Sequence, residues 1–215
     1  MEHGQGMEHL EDVASRRALI VAVARAVIAH EEELTRLDQA IGDGDHGVNM
    51  RRGFEALLAE AETLASMPPG EALHRAGTLL VNRIGGAAGP LYGTLLLSLG
   101  RHGAEAQDGA GWVRAFGLAV EDVKRRGKSE AGQKTLLDVL VPVQEALAEK
   151  GSEAVARLAA IAEHAAEATR PMRALRGRAA FLGERSIGHV DPGARSASLV
   201  LGVVGRFMIG KFDAE

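Results

Sequence analysis

The chain has 215 residues with 25 basic and 29 acidic side chains, and its net charge of −4 offers no basic surface for wrapping a nucleic-acid backbone. Cysteine is absent, which excludes disulfides, zinc-thiolate centres and thiol nucleophiles. No apolar run reaches the roughly 18 residues of a membrane span, and the polar start MEHGQGMEH lacks the order of a signal peptide, so a cytoplasmic protein is expected.

Alanine occurs 37 times and aromatics make up 3% of the chain. The best helix former is abundant and the strand-favoured aromatics are scarce, which points to an all-α chain. From Leu10 to Leu34, Val13, Ile20, Ala24, Val27 and Leu34 recur at helical spacing and share one face. Gly47 to Leu64 reads as a second helix, with Met50, Phe54, Leu57, Leu58 and Ala61 inward. Pro68-Pro69-Gly70 breaks the chain. Glu71 to Ile84 is a third helix. A fourth carries Pro90 in its first turn and runs to about Arg101. After a linker from Gly103 to Gly109, Ala110 to Arg126 and Thr135 to Glu149 are the fifth and sixth. Ser152 is the expected N-cap of the seventh, Glu153 to Arg170, and Pro192 to Met208 is the eighth.

Eight helices of about 14 to 24 residues with short glycine-marked links make consecutive helices antiparallel. The expectation is one domain over residues 10–215, an up-and-down bundle or a closed barrel, with charged glycine-rich loops at its ends. Residues 1–9 are expected to be a disordered tail. No internal repeat or composition shift suggests a second domain.

The most informative segment runs from Leu37 to Asn49. Asp38, Asp43 and Asp45 fall within eight residues at the junction of the first two expected helices, among three glycines. Two like charges 4 to 5 Å apart repel by roughly 3 to 4 kcal/mol at an effective dielectric near 20. Two readings stand. A hard divalent cation such as magnesium relieves the repulsion, or Asp45 caps the second helix while the others form Asx turns. An EF-hand starting at Asp43 fails, because Val48 and Phe54 stand where glycine and glutamate are required. Gly42, Gly44 and Gly47 match GxGxxG, but helical sequence precedes them where a strand is needed. Gly127-Lys128-Ser129 resembles the end of a Walker A loop, yet Asp122 replaces the required glycine.

Gly85-Gly86-Ala87-Ala88-Gly89-Pro90 opens the fourth helix. It is either a phosphate site at a helix N-terminus or a turn shaped for packing. The stretch Gly177 to Gly193, with Arg178, Arg185, His189 and Asp191, suits anion or sugar recognition or surface ion pairing. His46 reads as a phosphate donor, a base or a structural donor. Trp112, Tyr92 and the phenylalanines read as core, and His3, His9, His30, His74, His102 and His164 as solvated. No Ser-His-Asp order or HExxH pattern is present.

The segments LDQAIGDGDHGVNMRRGF, GGAAGPLYGTLLLSLG, KTLLDVLVPVQEAL and GRAAFLGERSIGHVDPGARS, in this order between residues 37 and 196, resemble the nucleotide-binding L subunits of dihydroxyacetone kinases. The resemblance implies an eight-helix antiparallel closed barrel with nucleotide and metal at one end. It implies that Asp38, Asp43 and Asp45 hold two magnesium ions, and that His46, Gly47, Val48 and Asn49 close over the nucleotide. Ala87 and Ala88 match its phosphate-facing turn, Gly127 and Leu136 lie near its adenine pocket, and Arg178, Asp191, Pro192 and Gly193 match its other nucleotide contacts. Two positions depart. Ala88 stands where the family usually has Ser or Thr, and Gln133 where an acidic residue often precedes Lys134-Thr135.

The family's chemistry follows as expectation. A K subunit holds dihydroxyacetone covalently on a histidine, and the L subunit presents the phosphoryl group to it. In the relay version ADP stays bound as a coenzyme and an M subunit carrying phosphohistidine recharges it to ATP. In the ATP-dependent version K and L are normally fused, so a free L chain points to the relay. The alternatives are a nucleotide-loaded regulatory module without turnover, an ATP-exchanging kinase subunit for a related ketose, and a magnesium-dependent phosphohydrolase. Neither nucleic acid nor membrane is an expected partner, and homo-oligomerisation is left open.

Overall fold

In the computed structural model, residues 12–210 are described, and the expected N-terminal tail and the start of the first helix at Leu10 lie outside them. The described residues form ten α-helices and one stretch of 3-10 turns, with no strand. The helices are α1 Val13–Ala29, α2 Glu31–Ile41, α3 His46–Ala59, α4 Ala61–Ser66, α5 Pro69–Arg83, α6 Ala88–Gly103, α7 Gly109–Gly127, α8 Leu137–Lys150, α9 Ser152–Glu167 and α10 Pro192–Met208. The 3-10 stretch is Arg178–Ser186. None of these helices is long and apolar enough to cross a membrane.

The all-α expectation holds, but two of the eight expected helices are broken. The first breaks at His30 (φ −100°, ψ 14°). There the His30 ring, far from being merely solvated, bonds through Nδ1 to the Ala26 carbonyl at 2.6 Å. Glu31, Glu32 and Glu33 follow, and acidic residues stabilise a new helix N-terminus. The second breaks at Glu60 (φ −102°, ψ 9°), which leaves α4 only six residues long. Both periodic patterns continue across the breaks, so the sequence shows no gap. At α5 the helix starts at Pro69, where a missing N–H costs nothing. Ser152 is not a cap: Gly151 (φ 51°) holds that position, and Ser152 is the first helical residue. The last helix starts at Pro192 as expected, and the Asp191 carboxylate caps it by accepting from Ala194 N at 2.7 Å.

Eight helices pack in a cycle. Helix α1 packs on α3, then α3 on α5, α5 on α6, α6 on α7, α7 on α8, α8 on α9, α9 on α10, and α10 returns to α1. One continuous core joins them, including Leu34, Met50, Phe54, Leu80, Leu137 and Leu140. Helices α2 and α4 are additions to the cycle, packing on α3 and α1 respectively. Successive helices of the cycle alternate in direction, so alternate links fall at the same end. Residues 42–45, 84–87, 128–136 and 168–191 are four such alternate links. Segments far apart in sequence are thereby gathered at one end.

Candidate functional site

All four of those links and the starts of α3, α6 and α10 line a cleft. Its wall includes Asp38, Asp43, Asp45, His46, Asn49, Ala87, Ala88, Leu136, Arg178, Asp191, Pro192 and Gly193. A wider hollow on α5, between Met67 and Leu79, carries no comparable convergence of carboxylates and helix N-termini. The cleft is therefore the candidate site on chemical grounds.

The acidic cluster is built from its buried member outward. Asp38, in the last turn of α2, is 9% exposed, and its Oδ2 accepts from Asp45 N at 2.9 Å and His46 N at 3.1 Å. This corrects the capping expectation. Asp45 occupies the N-cap of α3 but makes no side-chain cap bond, and Asp38 from the preceding helix does the capping. A carboxylate oxygen of each of Asp38, Asp43 and Asp45 lies within 4.8 Å of the others. Arg178 forms an ion pair with Asp43. Three carboxylate oxygens at such spacing, two of the residues exposed, fit the oxygen donor set that a hard divalent cation takes.

A Cβ at Gly42 would lie 2.0 Å from Asp38 Oδ1, so a side chain there would displace the carboxylate that caps α3. Gly47 is required for a different reason. A Cβ would meet the Glu31 carbonyl oxygen at 2.1 Å and Thr35 Oγ1 at 2.2 Å. Gly47 thus serves the close approach of α3 to α2 and does not line the cleft. Gly47→Ala is expected to destabilise the protein by about 1–3 kcal/mol through overpacking. A thermal melt of the nucleotide-free protein checks this, and an unchanged melting temperature would show that the α2–α3 contact relaxes freely.

The His46 ring bonds through Nε2 to Ser196 Oγ at 3.0 Å, the Tyr92 hydroxyl reaches the same oxygen at 2.8 Å, and Ser196 donates to the Gly193 carbonyl at 3.0 Å. With its one proton on Gly193, Ser196 accepts from both ring partners. Burial pulls the imidazole pKa below its usual value, against the pull of Asp38 and Asp45. Of its three sequence readings, the geometry favours a structural donor joining α3 to α10. Asn49 is buried and accepts from Arg52 Nη2 at 2.5 Å, while Arg52 Nε donates to the Arg83 carbonyl at 2.8 Å. These bonds hold α3 against the turn before α6. Ala87 sits at the N-cap of α6 and makes no side-chain cap bond. The first-turn N–H groups there are available to an anion.

Some expected residues are not brought to the cleft wall. Val48 is 51% exposed, outside the wall. Gly127 ends α7 behind Leu91, which does line the cleft, so it stands one side chain away. Phe181, expected to pack, is 89% exposed. Residues 178–186 are 3-10 turns interrupted at Gly183 (φ 57°), so no helical face exists there to bury it. Tyr92 is buried as expected, but it also reaches the cleft.

Sequence reasoning missed Lys134, Thr135 and Arg176, which also line the cleft. Lys134 and Arg176 stand between helical patterns, where polar residues read as solvated loop, and Thr135 reads as the first residue of the expected sixth helix. The helix expected from Thr135 starts only at Leu137, because Lys134 adopts a left-handed backbone (φ 62°). Gln133 works as a neutral acceptor. Its carbonyl receives Leu175 N at 3.2 Å and its Oε1 receives Arg176 Nε at 3.1 Å.

Residues 40–205 match the family model described as the DAK2 domain. The chain is 40% identical over 172 residues to the ADP-binding subunit DhaL of PEP-dependent dihydroxyacetone kinase 1 from Listeria innocua, covering 80% of this chain and 84% of that subunit. It is 39% identical over 179 residues to the Escherichia coli ADP-binding subunit DhaL of PEP-dependent dihydroxyacetone kinase, covering 79% of this chain and 85% of that subunit. It is 33% identical to the L-erythrulose 1-kinase of Mycolicibacterium smegmatis, covering 83% of this chain and 33% of that protein. Among solved structures, the dihydroxyacetone kinase from C. freundii in complex with AMP-PNP and Mg2+ superposes with a TM-score of 0.73 at 21% identity. That match covers 90% of this chain and 34% of the kinase, and it shows a shared fold.

Proposed function

Since the chain belongs to the DAK2 domain family, we propose that it is the ADP-binding subunit of a PEP-dependent dihydroxyacetone kinase, a cytoplasmic phosphotransferase. In this reading it passes a phosphoryl group from magnesium-bound nucleotide to dihydroxyacetone held covalently on a K subunit. ADP remains bound as a coenzyme, and an M subunit carrying phosphohistidine recharges it. The observation that carries the reading is the convergence of three carboxylates within 4.8 Å, the free N-terminus of α6 and Arg178 on one cleft. The 40% and 39% identities to subunits named as PEP-dependent, which the match covers over 84% and 85% of their own length, support the relay version.

The residues divide the work by chemistry. Asp38, Asp43 and Asp45 are proposed to hold two magnesium ions, which when bound neutralise phosphate charge. The N–H groups at Ala87 and Ala88 receive phosphate oxygens, and Ala88 contributes its backbone alone, having no hydroxyl. His46 to Asn49 form the adjoining wall through α3, with His46 fixing its position on Ser196. Leu136 and Gly127, the latter through Leu91, stand on the side assigned to the adenine. Arg178 lies beside Asp43 and can turn its guanidinium from that carboxylate to a phosphoryl oxygen. Asp191, Pro192 and Gly193 present the capped start of α10. Phosphoryl transfer needs such positioning and charge stabilisation more than covalent help from the protein, so none of the aspartates need act as a base.

The test is to purify the chain without added nucleotide, denature it, and count released nucleotide and magnesium on one sample. Near-stoichiometric ADP with about two magnesium ions is the expected result. An empty protein that binds ATP reversibly would replace the coenzyme by exchange from solution, and one that binds neither would sink the reading.

A further inference from the structure

Among the described residues, Lys134 is the largest fully buried side chain, 1% exposed. Burying an ammonium is costly unless its donors are satisfied. All three are: Nζ donates to the carbonyls of Thr169 at 2.9 Å, Met172 at 3.1 Å and His189 at 2.5 Å. An ammonium has three donors, so none is left for a ligand, although the side chain borders the cleft.

The three acceptors have a telling distribution. Thr169 and Met172 precede the excursion 173–188, and His189 follows it. One ammonium therefore pins the entry and the exit of a long irregular segment at a single point. That segment carries Arg178. The backbone around Lys134 is itself fixed for this. Asp138 accepts from Gly132 N and Thr135 N on either side, at 2.5 and 2.6 Å, and holds the left-handed turn at Lys134. Two further bonds join the same base, Asp191 N to Thr169 Oγ1 at 3.0 Å and Gly188 N to the Arg170 carbonyl at 2.8 Å. A long loop closed at its base has far fewer arrangements for its middle than an open one.

We propose that Lys134 is a positioning residue that clasps both ends of the 173–188 excursion and thereby sets where Arg178 stands opposite Asp43. This rests on the ADP-binding reading above and adds to it a residue that acts on the phosphates only through Arg178.

The test uses the full-length chain and Lys134→Met, which keeps length and apolar stem but no donor. Helical circular dichroism should persist. Tryptic cleavage at Arg173, Arg176 and Arg185 should quicken by about 10-fold or more, because local opening exposes the backbone. The Kd for ADP with magnesium, measured by calorimetry, should rise about 10-fold, while the same substitution in an Arg178→Ala background should add less than about twofold. Equal losses in both backgrounds would assign Lys134 to general stability and overturn the proposal, as would unchanged cleavage and affinity. If Lys134→Met does not fold, Lys134→Gln, which retains two donors, enters the same cycle, and failure of both to fold would make Lys134 a core support and overturn the clasp. A wild type that does not bind ADP with magnesium sinks the function reading and the clasp together. A wild type that binds, with variants that bind as tightly, sinks the clasp alone.

Discussion

Asp38→Asn is expected to leave the protein folded and to weaken magnesium-dependent ADP binding by at least about 100-fold, equivalent to roughly 3 kcal/mol. The two effects separate because Asp38 does two jobs with different requirements. Its structural job is to accept the N–H groups of Asp45 and His46, and an amide oxygen accepts as well as a carboxylate oxygen. Its electrostatic job needs the charge. A unit charge 4 Å from another is worth about 4 kcal/mol at an effective dielectric near 20, and a divalent ion roughly doubles that. Asp43→Asn should show a comparable loss and also abolish phosphoryl transfer, although it additionally releases Arg178 from its ion pair. Calorimetric titration of ADP with and without magnesium, beside a thermal melt, separates the two jobs. Retained magnesium-dependent binding by folded Asp38→Asn would return the cluster to the alternative reading, a structural turn.

Much of this architecture is legible in the sequence because helical periodicity is a local property. The terminal helix Pro192–Met208 is marked at both ends, by an Asp-Pro start and by the end of its apolar pattern. The breaks at His30 and Glu60 leave no such mark, since apolar residues continue in phase across them. The carboxylate cluster is legible because its three members lie within eight residues. Its closeness to Arg178 and Asp191 is not, because it depends on alternate links of an eight-helix cycle meeting at one end. Lys134 is the clearest case. A lysine between helical patterns reads as solvated, and only three carbonyls from a distant segment make its burial tolerable. Gln133 is similar. A missing carboxylate looks like a lost function in the sequence, whereas the folded chain uses the amide oxygen and backbone carbonyl as neutral acceptors.

The nucleotide-free protein should lose stability as pH rises from about 4 to about 7, by up to roughly 4 kcal/mol attributable to Asp191 alone. Burial pushes this carboxyl up to about 7, and Asp138 adds to the rise. The N–H groups of Ala194 and Gly193 and the Lys134 ammonium oppose it without cancelling it. In the unfolded chain the same group titrates near 3.9. Between these values the unfolded chain gives up a proton that the native chain keeps, so deprotonation favours unfolding. The contribution is fully present below the unfolded pKa and is lost as pH rises through the native one. Asp191→Asn isolates it, because the amide oxygen can still accept from Ala194 N and cap α10. Denaturant unfolding of both proteins at several pH values should show the variant gaining on the wild type across this interval, then running parallel above it. A constant difference between the two curves would mean that Asp191 ionises as readily in the folded protein as in the unfolded one. It would then face the anionic nucleotide as a full charge, and the start of α10 would need a cation, from Lys134 or from bound metal, to tolerate phosphate beside it.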